Sequence, residues 1–163
     1  IQPIYESYWL SGMRSKIGLT TEDILDQELI NDLLKLMEAG QADFTLVFRR
    51  LSQTLQGDSD AVRNLFKEPD AFNAWAVRWQ KRLEQEDIVA ETTAQAMDRV
   101  NPIYIPRNHK VEESLAAAVN QDMTPFTKLL EVVIQPFDEV AGNEAYTEPA
   151  PTTNRRYQTF CGT

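Results

Sequence analysis

The sequence predicts an all-α fold: a compact multi-helix region of about seven to eight helices, followed by an irregular C-terminal tail. Three observations carry this. Apolar residues recur at steps of three and four through most of the chain before residue 137, which lines them up on one face of successive helices. No glycine occurs between Gly57 and Gly142, so helix-weakening positions are scarce over that run. Prolines stand where helices would start or stop. No segment alternates like a half-buried strand, and no fixed repeat is visible. The helical part is placed at residues 1–137 and the tail at 138–163.

Each element has its own reason. Over residues 2–17, Ile4, Tyr5, Tyr8, Trp9 and Met13 share a helical face, and Gly18 offers a stop. Arg14 and Lys16 suit the negative end of that helix. A helix over 22–39 carries the stripe Leu29, Ile30, Leu33, Leu34 and Met37, with Gly40 as its terminator. Asp43 is a suitable N-cap for a third helix bearing Phe44, Val47, Phe48, Leu51 and Leu55, which Gly57 closes. A short helix is expected over 59–67, with Val62, Leu65 and Phe66 inward. Pro69 then opens a strongly amphipathic helix, with Phe72, Trp75, Ala76, Trp79 and Leu83 on one side. A weaker pattern covers 87–100. Asn101-Pro102 breaks the chain, because the residue before proline avoids helical geometry. Pro106 is expected to start a helix to Val119, with Val111, Leu115, Ala118 and Val119 inward and Asn120 as the stop. Thr124 as N-cap and Pro125 announce a last helix, with Phe126, Leu129, Leu130 and Val133 facing the core. Pro136 ends it.

Composition narrows the function classes. The chain has 163 residues, 42% hydrophobic and 25% charged, enough for one domain with a sizeable core. No apolar run approaches the ~18 residues of a membrane span. Net charge is −9, which disfavours nucleic acid as a partner. A single cysteine excludes an internal disulfide, and a single histidine leaves little for a metal centre. The lone thiol fits a reducing compartment, so a cytoplasmic location is expected. The chain starts at Ile1 in what reads as the middle of a helix, without the basic and apolar regions of a signal peptide. A C-terminal piece of a longer protein is expected.

Four groups are candidates for chemistry or binding. Residues 101–110, NPIYIPRNHK, gather two prolines, the only histidine and an Arg-Asn pair. They read as a rigid corner built on Asn101, Pro102, Arg107 and Asn108, with Arg107 pairing with carboxylates or helix-end carbonyls. Arg78, Lys81 and Arg82 offer a basic face for phosphate or an acidic partner, or else a solvated face paired with Glu84 and Glu86. Carboxylates at Glu84, Glu86, Asp87, Glu112 and Glu113 lack the two Glu-x-x-His pairs of a di-iron bundle and read as solvated faces. Asp43-Phe44-Thr45 superficially resembles a kinase DFG, but it opens a helix and no HRD lies upstream of it in this chain. In the tail, Arg155, Arg156, Tyr157 and Phe160 mark an end that docks on something. Cys161, third from the end, is a candidate for redox or regulatory chemistry with a partner thiol outside this chain.

Residue pattern alone stops at a helical domain without a self-sufficient active site. Six segments go further: MRSKIGL (13–19), ADFTLVFRRLS (42–52), FNAWAVRWQKRL (72–83), MDRVNPIYIPRNHKVEESLAAA (97–118), PFTKLLEVVIQPFDE (125–139) and the terminal TFCGT. In this order they resemble the C-terminal part of selenoprotein O-like proteins, which are kinase-like protein adenylyltransferases. Ile105-Pro106 and Gly162-Thr163 depart from the pattern of many members. The resemblance implies a parent pseudokinase that binds ATP with Mg or Mn and transfers AMP to Ser, Thr or Tyr of protein substrates (AMPylation). The family's catalytic residues would lie upstream, so no catalytic residue, metal ligand or cofactor is assigned to this chain. The expected role is to support the upstream kinase-like domain, with the tail reaching back over it. Cys161 stands where some animal members carry selenocysteine, which implies a redox-responsive position and a disulfide with an upstream cysteine. The alternative is a non-catalytic helical protein-interaction module. Neither nucleic acid nor membrane is an expected partner.

Overall fold

The structure, a computed structural model, describes residues 2–151, with side chains from residue 4. Among the described residues the chain is all-helical, as the periodicity predicts. The helices are α1 (Gln2–Lys16), α2 (Asp26–Gly40), α3 (Phe44–Leu55), α4 (Asp60–Arg63), α5 (Pro69–Leu83), α6 (Ala90–Val100), α7 (Asn108–Val119) and α8 (Thr124–Val133), and a 3-10 turn follows at Glu144–Tyr146. Helix α3 packs on α4 and α6, α2 on α5, α1 on α2 and α6, and α7 on α8.

The core is built around α5. Phe66 and Phe72 stack at 4.9 Å, Phe72 meets Trp75 at 5.8 Å, and Trp75 stacks on Trp79 at 5.6 Å. Both indoles are buried and both find acceptors, as buried Trp N–H groups should. Trp75 Nε1 donates to the Leu29 carbonyl and Trp79 Nε1 to the Ile17 carbonyl, each at 2.8 Å. The ladder thereby ties α5 to α2 and to the end of α1. Leu33, Val47, Phe48, Leu51 and Val62 complete the buried cluster.

Several boundaries and faces differ from the sequence expectations. The stripe of α1 is buried only at its far end: Met13 and Ile17 are inside, whereas Ile4, Tyr5 and Tyr8 are exposed. Periodicity finds an apolar face but not the length of its neighbours, and the first turns of α1 reach past the core. Helix α2 starts at Asp26, later than residue 22, because Asp23 Oδ1 accepts the Leu25 N–H at 2.8 Å and turns the chain first. The left-handed residue ending α2 is Gln41 (φ 50°), not Gly40. A Cβ on Gly40 would lie 3.4 Å from the Phe66 ring, so this glycine serves close packing. Helix α4 is only four residues long, and three-residue backbone bonds then bring Phe66 onto Phe72. Helix α6 starts at Ala90 rather than 87.

In α7 the buried position is Ser114, while Leu115 and Val119 are exposed. That helix starts at Asn108, since Arg107 is still extended (ψ 129°). Helix α8 is opened by Asp122, whose Oδ1 accepts the Thr124 N–H at 2.9 Å; Thr124 is its first residue rather than its cap. Leu129 and Val132 are its buried residues, whereas Phe126 and Leu130 face outward.

Candidate functional site

The corner after α6 is bonded to α1, to α3 and to the segment that follows α8. Asn101 is 1% exposed and lies at its hub. Its Nδ2 donates to the last carbonyl of α1, Lys16 O, at 2.8 Å, and its Oδ1 accepts from Lys16 Nζ at 3.2 Å. Its own carbonyl accepts from Arg49 of α3 at 3.2 Å. Arg49 also donates to the Asp98 carbonyl at 2.8 Å, and Ser52 Oγ donates to the Asp98 carboxylate at 2.6 Å. Asn101 thus satisfies the last carbonyl of α1, while Arg49 satisfies a carbonyl that the end of α6 leaves open. Burial lowers the Lys16 pKa, and its ammonium lies 5.5 Å from the centre of the Phe48 ring.

Beyond Pro102 the chain turns under the α7–α8 hairpin. Ile103 and Tyr104 N–H both donate to the Pro136 carbonyl, at 2.8 and 3.2 Å. Ile103, Tyr104 and Val132 form a second small core against Leu46 and Tyr146. Tyr104 Oη accepts the Val140 N–H at 2.9 Å. Arg107 closes the corner with a forked pair to Asp43, at 2.6 and 3.0 Å, and donates to the Thr147 carbonyl at 2.8 Å. Asp43 simultaneously accepts the Leu46 N–H at 2.9 Å as the N-cap of α3. Burial alone would raise the Asp43 pKa, but the Arg107 and Leu46 hydrogen bonds outweigh it and hold the carboxyl low. Arg50 and Glu139 add a second forked pair at 2.7–2.8 Å. The first ten residues of the predicted tail are therefore stapled to the helical body. Asn108 is the first residue of α7, and the buried Nδ1 of His109 has no hydrogen-bond partner.

The three basic residues of α5 are placed very differently. Arg82 is turned inward at 8% exposure. It donates to Asp26 at 2.7 Å, to Glu86 at 3.0 Å and to the Thr21 carbonyl at 3.1 Å. Arg14 reaches the other oxygen of Asp26 at 2.7 Å. Glu86 also accepts from the hydroxyls and amides of Thr20 and Thr21. Burial pushes its pKa up, these hydrogen bonds pull it down, and the balance is about 2. Glu86, expected on a solvated face, is thus a buried anchor for the 18–25 loop. Arg78 pairs with Asp32 at 2.7 Å and Glu28 at 3.4 Å, and Lys81 is exposed. Arg82 to Glu86 is an i,i+4 pair that sequence spacing announces; Asp26 and Arg14 carried no such local signal.

Among the described residues, no group of three or more His, Cys, Asp or Glu side chains is placed to hold a metal ion. The buried carboxylates Asp26 and Glu86 are each committed to arginine. These residues do not fit the divalent ion expected of the parent. No described helix is long and apolar enough to cross a membrane. Cys161 and the basic-aromatic end of the tail, Arg155 to Phe160, lie outside the described residues.

Comparison with known proteins bears on what this framework belongs to. The family model described as "Protein adenylyltransferase SelO" matches residues 1–134. The chain belongs to the SelO family. Among SelO-type relatives, it is 47% identical over 163 residues to the protein nucleotidyltransferase YdiU of Rhizobium leguminosarum bv. trifolii (strain WSM2304), covering 98% of this chain and 32% of that protein. It is 44% identical over 163 residues to YdiU of Rhizobium meliloti (strain 1021), and 41% identical over 162 residues to YdiU of Maridesulfovibrio salexigens. The chain spans about a third of the length of these curated relatives. All six segments that carried the sequence resemblance except the terminal one fall wholly or largely within the matched SelO region.

Proposed function

We propose that this chain is the helical supporting region of a protein adenylyltransferase. The whole protein transfers AMP from ATP to Ser, Thr or Tyr hydroxyls of protein substrates, using Mg or Mn held outside this chain. The observation that carries the reading is the SelO match over residues 1–134, joined to relatives named nucleotidyltransferases. The corner and the Arg82 network suit a supporting role, because their buried arginines and carboxylates are bonded to one another and to the backbone of the fold. In such chemistry, charge developing on the phosphates must be met by groups aimed at it. The cations Arg14, Arg49, Arg82 and Arg107 are instead bonded to carboxylates and carbonyls of the fold. The catalytic groups, the ATP site and the protein-substrate site are assigned to the upstream kinase-like domain, and the location to the cytoplasm. Incubating full-length protein and residues 1–163 separately with α-labelled ATP and Mg or Mn tests this. Label should appear on protein only with the full-length form; AMP transfer by residues 1–163 alone would overturn the assignment.

The redox role of Cys161 belongs to the same reading. A disulfide to an upstream cysteine would pin the tail over the catalytic domain. Intact mass and thiol labelling of oxidised full-length protein should find Cys161 protected. A free Cys161, together with unchanged activity in Cys161→Ser, would remove the idea.

A second reading, a helical protein-interaction module, is favoured by one observation. A cleft of about 240 Å³ is lined by Leu25, Leu29, Arg78 and Lys81, and Ile24 beside it is 93% exposed. Retained AMP transfer in Lys81→Glu, with loss of a partner protein, would favour that module.

A further inference from the structure

The α7–α8 hairpin carries more exposed apolar surface than its own packing explains. On α7, Val111, Leu115 and Val119 follow one another at four-residue steps. On α8 and just beyond it, Phe126, Leu130, Ile134 and Phe137 form a second stripe. Leu115, Val119, Phe126, Leu130 and Ile134 are between 44% and 84% exposed. Between the stripes lies a groove of about 210 Å³, walled by Pro106, Val111, Leu115, Phe126, Leu130 and Val133. Scattered exposed apolar residues are ordinary, but two aligned stripes flanking an apolar groove mark a contact surface. The buried residues of this region are few: Ser114, Leu129 and Val132, with Ile103 and Tyr104 of the corner.

We infer that this hairpin face docks, within one molecule, on an apolar helical face of the two-thirds of the protein that lies outside residues 1–163. The inference rests on the proposed reading that the chain is part of a longer protein, and it names the surface through which support is delivered. The amount of missing chain is the first argument: relatives of 41–47% identity are about three times as long as the part matched here. The second is charge. A second copy as occupant would bring together two chains of net charge −9, and on each hairpin Glu112, Glu113, Asp122 and Glu131 outnumber Lys110, which pairs with Glu113, and Lys128. The third is geometry. Two parallel stripes with a groove between them suit an amphipathic helix, which buries side chains at three- and four-residue steps. The corner makes the docking consequential. Arg107 fixes the hairpin's start to the α3 cap, and Pro136 O fixes its end to Ile103 and Tyr104. A surface held at both ends transmits its position to the core.

The test uses full-length protein with a photo-crosslinking benzoylphenylalanine at Phe126 and, separately, at Leu115. A third form carries it at Val77, an exposed position on α5 away from the hairpin, as the background control. Unchanged elution and melting temperature establish that each form is folded. After irradiation, the 115 and 126 forms should give crosslinked product of monomer mass, with peptides mapping outside residues 1–163 and yields at least fivefold above the 77 form. Crosslinks of dimer mass would overturn the inference in favour of a second copy. Crosslinks confined to residues 152–163 would overturn it in favour of the tail, and yields no higher than the control would show a bare surface. AMP transfer measured on the same samples reports separately on the proposed function, so failure of either is distinguishable.

Discussion

Arg82→Met should lower the stability of the fold by about 3 kcal/mol at neutral pH, a magnitude set by how completely the arginine's partners are buried. Its guanidinium lies between Asp26 and Glu86 at 2.7 and 3.0 Å, and both carboxylate side chains are 0% exposed. Removing one partner of a buried pair costs roughly 3–5 kcal/mol, chiefly from the charge left behind. The lower end applies here. Asp26 keeps Arg14 and the Asp23 N–H, and Glu86 keeps its donors on Thr20 and Thr21. Methionine retains the apolar stem, so the loss reports on charge more than on packing. Urea unfolding followed by tryptophan fluorescence reads the change, because Trp75 and Trp79 lie in the core. A fall of this size corresponds to a Tm lower by about 6–12 °C for a domain of this length. Lys81→Met, one residue away but exposed, should stay within about 0.5 kcal/mol of the parent. If Arg82→Met cost less than about 1 kcal/mol, or no more than Lys81→Met, the buried network would be wrong. Arg82 would then return to the exposed basic face.

Three other outcomes follow from the same geometry. Asp43→Asn keeps a good N-cap but removes the charge facing Arg107, whereas Asp43→Ala removes both. Both should destabilise in denaturant titrations, with alanine about 1 kcal/mol the worse. Gly18 has φ +80°, and a Cβ there would lie 2.9 Å from Met97 Sδ. Gly18→Ala should therefore cost about 1–3 kcal/mol, while Gly12→Ala, within α1 and with nothing close to its new methyl group, should stabilise by up to about 1 kcal/mol. Glu86 titrates near 2 when folded against an ordinary 4.5, so its folded pKa is depressed. Its contribution of about 3 kcal/mol is present above pH ~5 and is lost as pH falls from there towards 2; Glu86→Gln should flatten that part of the stability–pH curve.

The sequence made the helices legible because their apolar periodicity, caps and prolines agree. Asp43 and Pro69 are the clear cases, where local chemistry alone sets the start of α3 and α5. Faces were harder to read where a stripe meets no neighbour inside the described chain. Ile4, Tyr5 and Tyr8 on α1, and Leu115 and Phe126 on the hairpin, have the period of core residues and yet are exposed. Periodicity reports that a face is apolar and not what covers it. The ionic networks were the least legible. Arg82 with Glu86 lies within one turn, but Arg14 to Asp26 spans 12 residues and Asp43 to Arg107 spans 64, and such pairs appear only once the chain is folded. Left-handed geometry at Gln41 and Gln121 was likewise missed, because neighbouring Gly40 and Asn120 were the better local candidates.

We propose that this SelO-family region serves a nucleotidyltransferase rather than a phosphotransferase. The most direct measurement incubates full-length protein and a protein substrate with ATP labelled at the α-phosphate or, in parallel, at the γ-phosphate. Protein-bound label is expected from the α position, with an added AMP in the intact mass, and none from the γ position. Label transferred from the γ position alone would contradict it.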